Sequence, residues 1–287
     1  MSETEVHVVK VNGKENDDLF LEKEILAPFS HICQVKGKQL RIKIMRAFNH
    51  WLQASEVDVM KALGIVNSLH VASLLIDDVQ DDSTLRRGMP AAHCVYGVPL
   101  TVNTSLHAMF LVLEEAFAVD PKAAKLLVED FLEMCRGQGI DIYWRDHLIC
   151  PTEGQYYKML EQKTGHFFLM GVRMMQLFSC NKTDYSELVC KNDSFCEDIT
   201  EGKISLPIIH ALQTKKAGIV MNILRQKTRD MYLKKYCVST LEEIGSLQYT
   251  RNVLEKLDLE IRAEVARLGG NPLIDEVLHS LLSWKDN

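Results

Sequence analysis

The chain has 287 residues and a formal net charge of −6, with 47% hydrophobic and 25% charged residues. That length and apolar share suffice for a large buried core, and the acidic balance argues against nucleic acid as a partner, since a phosphate backbone needs a cationic face. With only 7 Pro and 15 Gly, and no low-complexity tract or repeat, the composition favours one mostly helical domain.

Residues 1–17 are polar and without periodicity, which predicts a flexible N-terminal tail ahead of a single domain over 18–287. From Asp18 onward apolar residues recur at three and four positions. This predicts helices over about 36–54, 56–80, 100–118, 121–147, 152–179, 205–213, 216–230, 239–268 and 272–284. Thr152 with Gln155, and Ser239 with Glu242, fit the capping-box spacing, while Gly269, Gly270 and Pro272 end one helix and begin the next. The fold class expected is therefore all-α. No run combines a basic start, an apolar stretch and a small-residue cleavage site, and no apolar run reaches bilayer length, so the expectation is no transmembrane segment and a cytoplasmic location. The 8 cysteines are scattered, with no C-x-x-C pair, as reduced thiols would be.

The stretch Leu69–Gly88, LHVASLLIDDVQDDSTLRRG, carries the densest chemistry. Asp77 and Asp81 are four apart and share a helix face, with Asp78 beside them. Oxygen-only donors without His or Cys suit a hard cation, and Mg²⁺ in particular binds to a few carboxylates with substrate phosphates completing its shell. Arg86 and Arg87 then offer forked donors to a diphosphate. A solvated helix end with a basic turn would give the same spacing. The apolar approach through Val71, Ala72, Leu74, Leu75 and Ile76 favours a buried helix, in which carboxylates need a cation or a hydrogen-bonding partner.

Other candidates follow in chain order. Lys38 and Arg41, next to Gly37 and Gln39, put two cations near a helix start, where free N–H groups already favour anions; alone they read equally as a solvated face. His70 lies seven residues before Asp77, on the same face. Gln138 and Asp141 are three apart in CRGQGIDIYWRD; Lys163 and Thr164 stand in EQKTG; Lys203 follows Asp198 and Gly202 in CEDITEGK, where it can reach a buried anion or snorkel.

These segments in this order (GKQLR, His70, DDVQD with LRRG, GQGID, KTG and EDITEGK) resemble the trans-prenyl diphosphate synthases, and among them the animal and fungal type of geranylgeranyl diphosphate synthase. The resemblance implies an isoprenoid-synthase-type bundle of antiparallel helices around a deep central pocket, and a homodimer. It implies that Asp77, Asp78 and Asp81 form the first aspartate-rich motif, which holds Mg²⁺. Arg86 would bind the allylic diphosphate, and Lys38, Arg41, His70 and Arg87 the isopentenyl diphosphate. Gln138, Asp141, Lys163, Thr164 and Lys203 would surround the allylic substrate and its leaving group.

The chain also departs from that family's pattern. Between MQLFS and SFCED the family carries a helix with a second aspartate-rich motif, and here roughly twenty residues of it are absent, with Asp184, Asp193 and Asp198 too irregularly spaced to share a face. The pocket wall is altered at VNTSLH (102–107), at Cys135-Arg136-Gly137-Gln138, and at Gly165-His166 where the family has two glycines. Three functions are therefore compared. The first is a terpene synthase that ionises geranyl or farnesyl diphosphate and releases an acyclic terpene plus diphosphate. The second is a geranylgeranyl diphosphate synthase that condenses allylic diphosphates with isopentenyl diphosphate. The third is a non-catalytic subunit or splice form of such a synthase.

Overall fold

A computed structural model describes residues 16–35, 37, 39–185, 188–189 and 202–282. Its elements fall into two compact units, one of residues up to 129 together with 170–183, the other of residues 130–169 together with those from 184 on.

The first unit begins with α1 (Asn16–Ile25), α2 (Ala27–Cys33) and α3 (Leu40–Leu52). At its centre is α4 (Glu56–Gln80), started by Ser55, whose hydroxyl accepts from the Asp58 amide. Buried positions such as Val59, Leu63, Leu69, Ala72 and Leu75 fall on all sides of α4, as expected of a helix enclosed by others. A short hairpin, β1 (Leu85–Arg86) with β2 (Met89–Pro90), and α5 (Ala92–Tyr96) lead into α6 (Val98–Val119). Small residues bring α4 and α6 together: Ala72 and Ala108 are fully buried, and the Ser105 hydroxyl donates to the Ala72 carbonyl at 2.8 Å.

α7 (Pro121–His147) and α9 (His166–Phe178) each cross the boundary between the units; α8 (Glu153–Leu160) and a π-helical segment, Glu161–Gly165, lie in the second. There follow α10 (Leu206–Leu212), α11 (Ala217–Arg225), α12 (Met231–Glu243), α13 (Ser246–Arg267) and α14 (Pro272–Leu281). The core of this unit forms around α10, with Ile208 and Ile209 against Met159, Val220, Leu224, Cys237 and Leu241.

The all-α isoprenoid-synthase-type fold expected from the sequence is what the chain adopts. The Thr152–Gln155 capping box is present in both directions. Gly269 (φ 94°) and Gly270 (φ 81°) separate α13 from α14, at whose first turn Pro272 stands. The expected helix 239–268 is instead two. Asp230 caps α12 by accepting from the Tyr232 and Leu233 amides, Ser239 lies in mid-helix, and Gly245 (φ 77°) makes the break. Two further differences concern length: α1, α2 and α5 fall outside the expected helices, and α4 and α6 are long and apolar enough to cross a bilayer by length and composition. Scattered polar residues conceal that in a search for unbroken apolar runs. Most of α4 is core, whereas α6 turns Leu106, Phe110 and Phe117 outward.

Candidate diphosphate and metal site

The last turn of α4 and the hairpin after it form one construction. The Ser83 amide returns to the Asp78 carbonyl at 2.9 Å, and the chain then reverses through Arg87 (φ 54°) and Gly88 (φ 82°), the pair of positive φ angles that a two-residue hairpin of matching twist requires. That reversal sets Arg86 back over the helix end. Its Nε donates to Asp78 Oδ1 at 2.7 Å and its Nη2 to Asp77 Oδ2 at 3.2 Å, with a further close contact from Nη2 to Asp78 Oδ1. The Asp78 side chain is 1% exposed. Burial pushes its carboxyl above the usual range, against the pull of Arg86, and its Oδ2 is buried with no hydrogen-bond partner among the described residues. Burial opposes the charge of Arg86 as well, but Asp78 and Asp77 outweigh it and raise its pKa.

Next to this pair stands an excess of positive charge. Arg41 Nη1 donates to His70 Nε2 at 2.8 Å. Burial, then Arg41, Arg87 and Arg86, hold His70 well below its ordinary 6.5, so the ring is neutral and accepts. Arg41 is itself pushed down to about 10 by burial and by Arg87, and Arg87 is lowered by burial and by Arg86. Arg87 donates to the Val35 carbonyl at 2.6 Å and lies across Gly37, where a Cβ would stand 2.8 Å from Nη2. Guanidinium groups that are desolvated and crowd one another favour a bound anion, because it relieves both costs.

Arg41, His70, Asp77, Asp78, Arg86 and Arg87 are thus gathered in the first unit. The three aspartates do not converge as the spacing suggests: among the described residues, no three His, Cys, Asp or Glu side chains stand together as a ligand set. Asp78 turns to Arg86, and Asp81, buried, is the C-cap beyond the last turn. In kind the donors still fit a hard cation. They are carboxylates only, and the unsatisfied Asp78 Oδ2 is an acceptor that a cation would complete.

The second unit carries the other candidates. Lys163 Nζ donates to Asp141 Oδ2 at 2.6 Å. The contact depends on a close helix crossing. A Cβ at Gly137 would collide with the Lys163 backbone nitrogen and stand 2.9 Å from Gln162 Cβ, and the π-helical segment lies at this crossing. Gln138 and Thr164 are half-buried on the same two elements, and Lys203 is half-buried behind Gly202 (φ 73°). Lys38, Asp193 and Asp198 lie outside the described residues, as do residues 190–201, on which part of the expected loss of the second aspartate-rich motif falls.

Several residues were not legible as site members. His93 is near enough to favour the ionised form of Asp78. Asp130 pairs with His166 at 3.0 Å; its eleven-residue spacing from Asp141, three turns of one helix face, was a signal. The Thr104 and Ser105 hydroxyls donate to the Ile25 and Ala72 carbonyls, and Ala72 is core.

Residues 22–192 match the polyprenyl synthetase family. The chain belongs to that family. It is 45% identical to a terpene synthase of Matsumurasca onukii over 96% of this chain and 97% of the relative. It is 37% identical to a geranylgeranyl pyrophosphate synthase of Dictyostelium discoideum (90% and 93% covered) and 39% identical to one of Mucor circinelloides f. lusitanicus (91% and 93%). This polyprenyl synthetase is accordingly a prenyl-diphosphate-dependent isoprenoid enzyme, of a family whose members generally depend on a divalent metal and use allylic and isopentenyl diphosphates.

Proposed function

We propose that the chain is a terpene synthase that ionises a short allylic diphosphate, geranyl or farnesyl, and releases the cation as an acyclic terpene by loss of a proton. The observation that carries this reading is the 45% identity to a terpene synthase over nearly the whole of both chains. That alignment runs over 298 positions, more than the 287 residues of this chain, so the relative carries residues without a counterpart here. This is in keeping with a lost segment before SFCED.

The residues divide the work by charge. Arg41, Arg86 and Arg87 offer forked donors to the diphosphate oxygens, and neutral His70 orients Arg41 by accepting from it. Asp77, Asp78 and Asp81 would hold Mg²⁺, which when bound supplies positive charge against the diphosphate. Once Arg86 turns to the diphosphate, the carboxylates of Asp77 and Asp78 are released for a cation. Within the second unit Asp141 aligns Lys163, an ammonium of the kind that a phosphate oxygen would take. A second reading, condensation with isopentenyl diphosphate, is favoured by Arg41, His70 and Arg87, which that substrate would need.

One assay separates the two. Protein with Mg²⁺ and geranyl or farnesyl diphosphate, with and without isopentenyl diphosphate, is analysed for volatile alkenes and for chain-elongated diphosphates. Alkene formed without isopentenyl diphosphate is expected, and elongation as the main outcome sinks the terpene reading. The outward row Leu106, Phe110 and Phe117 on α6 is further proposed to pack against a second copy. Light scattering should then give a dimer that Phe110→Asp dissociates, and a wild-type monomer would refute it.

A further inference from the structure

Residues 214–239 lie wholly within the second unit and form α11, the loop after it and most of α12. They carry seven Lys and Arg and a single acid, Asp230, in a chain whose net charge is −6. Asp230 is turned to its own helix, where it accepts from the Tyr232 and Leu233 amides. Lys216 and Lys227 reach Glu243 and Asp146 at 2.5 and 3.5 Å. Lys215, Arg225 and Lys235 are exposed and make no ion pair among the described residues. An acidic chain thus gathers positive charge on one short continuous stretch of its surface.

The same stretch exposes large apolar side chains. One side of α12 is accounted for, since Cys237 and Leu241 are buried in the core around α10 and Leu233 packs against it. The other side turns Met231, Tyr232 and Tyr236 to solvent, at 60%, 84% and 54% exposure. Tyr232 and Tyr236 are one helical turn apart, with Lys235 beside them. Apolar bulk that adds nothing to the core, placed together and rimmed by charge, marks a binding surface.

The chemistry of the patch selects its partner. Tyrosine has an apolar ring with a polar tip, and Lys and Arg have apolar stems with charged heads, so both suit a layer that is apolar below and wet above. Anionic headgroups complement the charge, and the acyl boundary takes the rings and Met231. A nucleic acid would answer the charge and make little use of Met231. We propose that the exposed basic and aromatic run at 225–236 docks the protein on a lipid bilayer surface that carries anionic headgroups. The docking is peripheral, with nothing crossing the bilayer. It would hold the enzyme where prenyl diphosphates collect, their apolar tails in lipid and their diphosphates at headgroup level. This requires only a prenyl diphosphate substrate and is independent of whether the enzyme eliminates a proton or condenses two substrates.

The test sediments the full chain with vesicles of phosphatidylcholine alone and of phosphatidylcholine with about a third phosphatidylserine. Wild type is expected to bind the anionic vesicles at least about tenfold more tightly than the neutral ones, and to be released by about 0.5 M salt. Arg225→Gln with Lys235→Gln should weaken that binding about twentyfold, and Tyr232→Ser with Tyr236→Ser about tenfold. Lys256→Gln removes an exposed charge on α13, outside the run and paired with Glu260, and should bind as wild type does. Circular dichroism and urea melts confirm that each variant folds. Failure of wild type to bind anionic vesicles at low salt overturns the proposal, as does equal binding to neutral ones. Undiminished binding by the glutamine pair, or an equal loss in Lys256→Gln, removes this surface from the interaction. Tighter binding to duplex DNA than to anionic vesicles, unaffected by the serine pair, would assign the patch to a polyanion and overturn the lipid assignment.

Discussion

The two polar regions of this molecule are built on opposite principles. At the end of α4 one guanidinium serves two carboxylates, three arginines crowd together, and a histidine is kept neutral among them. Along the α7 seam the acids meet separate partners, Asp130 with His166, Glu133 with Gln162 and Arg136, and Asp141 with Lys163, although Asp130 Oδ2 and Gln162 Oε1 are buried without a hydrogen bond among the described residues. Matched pairs hold geometry without needing a ligand. Unmatched, desolvated charge costs folding energy that a bound ion or diphosphate recovers, which marks the first region as the place for substrate charge and the second as a frame that positions side chains.

The sharpest way to break this contrast is Asp77→Ala. Turnover is expected to fall about 10²–10³-fold, the usual cost of removing one electrostatic element from an active site. Asp77 is a quarter exposed and shares Arg86 with Asp78, so folding should be little changed. Steady-state rates measured beside a urea melt would decide the point, and retained activity refutes the site. Asp78→Ala should act on stability instead. It removes a carboxylate that is almost fully buried and deprives Arg86 of its main partner, for a loss of about 3 kcal/mol in chemical denaturation.

The seam is best probed by a pair of glycines two residues apart. Gly137→Ala forces a methyl group onto the Lys163 backbone, and a cost of about 1–3 kcal/mol is expected, together with lower turnover as Lys163 is displaced. At Gly139 a Cβ would meet nothing within 4 Å, so Gly139→Ala should stabilise the helix by up to about 1 kcal/mol. Equal effects at the two positions would show that the close crossing does not matter.

The last test is with pH. His70 is neutral in the folded chain and titrates near 6.5 when unfolded, so below that pH the unfolded state binds the extra proton. Its contribution to stability is therefore present above about 6.5 and is lost as pH falls, at up to about 1.4 kcal/mol per pH unit. Urea melts from pH 7 to 5 on wild type and His70→Gln should differ in slope, and parallel slopes would remove His70 from the cationic cluster.

Much of the site could be read from the sequence because its parts are local. DDVQD and LRRG lie within one turn-linked stretch, and the spacing of KTG and GQGID already put Lys163 and Asp141 on helix faces. The same locality misled at Ser239, where a good capping pattern falls inside α12 because Asp230 starts that helix earlier. At Thr104 and Ser105 a polar pair expected on a pocket wall is used up by backbone carbonyls of neighbouring elements.

By itself the sequence determined the helical class, from apolar residues at three and four, and the family, from the order of its charged motifs. Periodicity and composition act through neighbours along the chain, so they suffice for both. Only the tertiary structure decided that Arg86 folds back over Asp77 and Asp78, that His70 is held neutral, and that Gly137 lets two helices close enough for Lys163 to meet Asp141. Each of these depends on burial and on groups far apart in the chain, and desolvation and pairing are properties of the packed molecule.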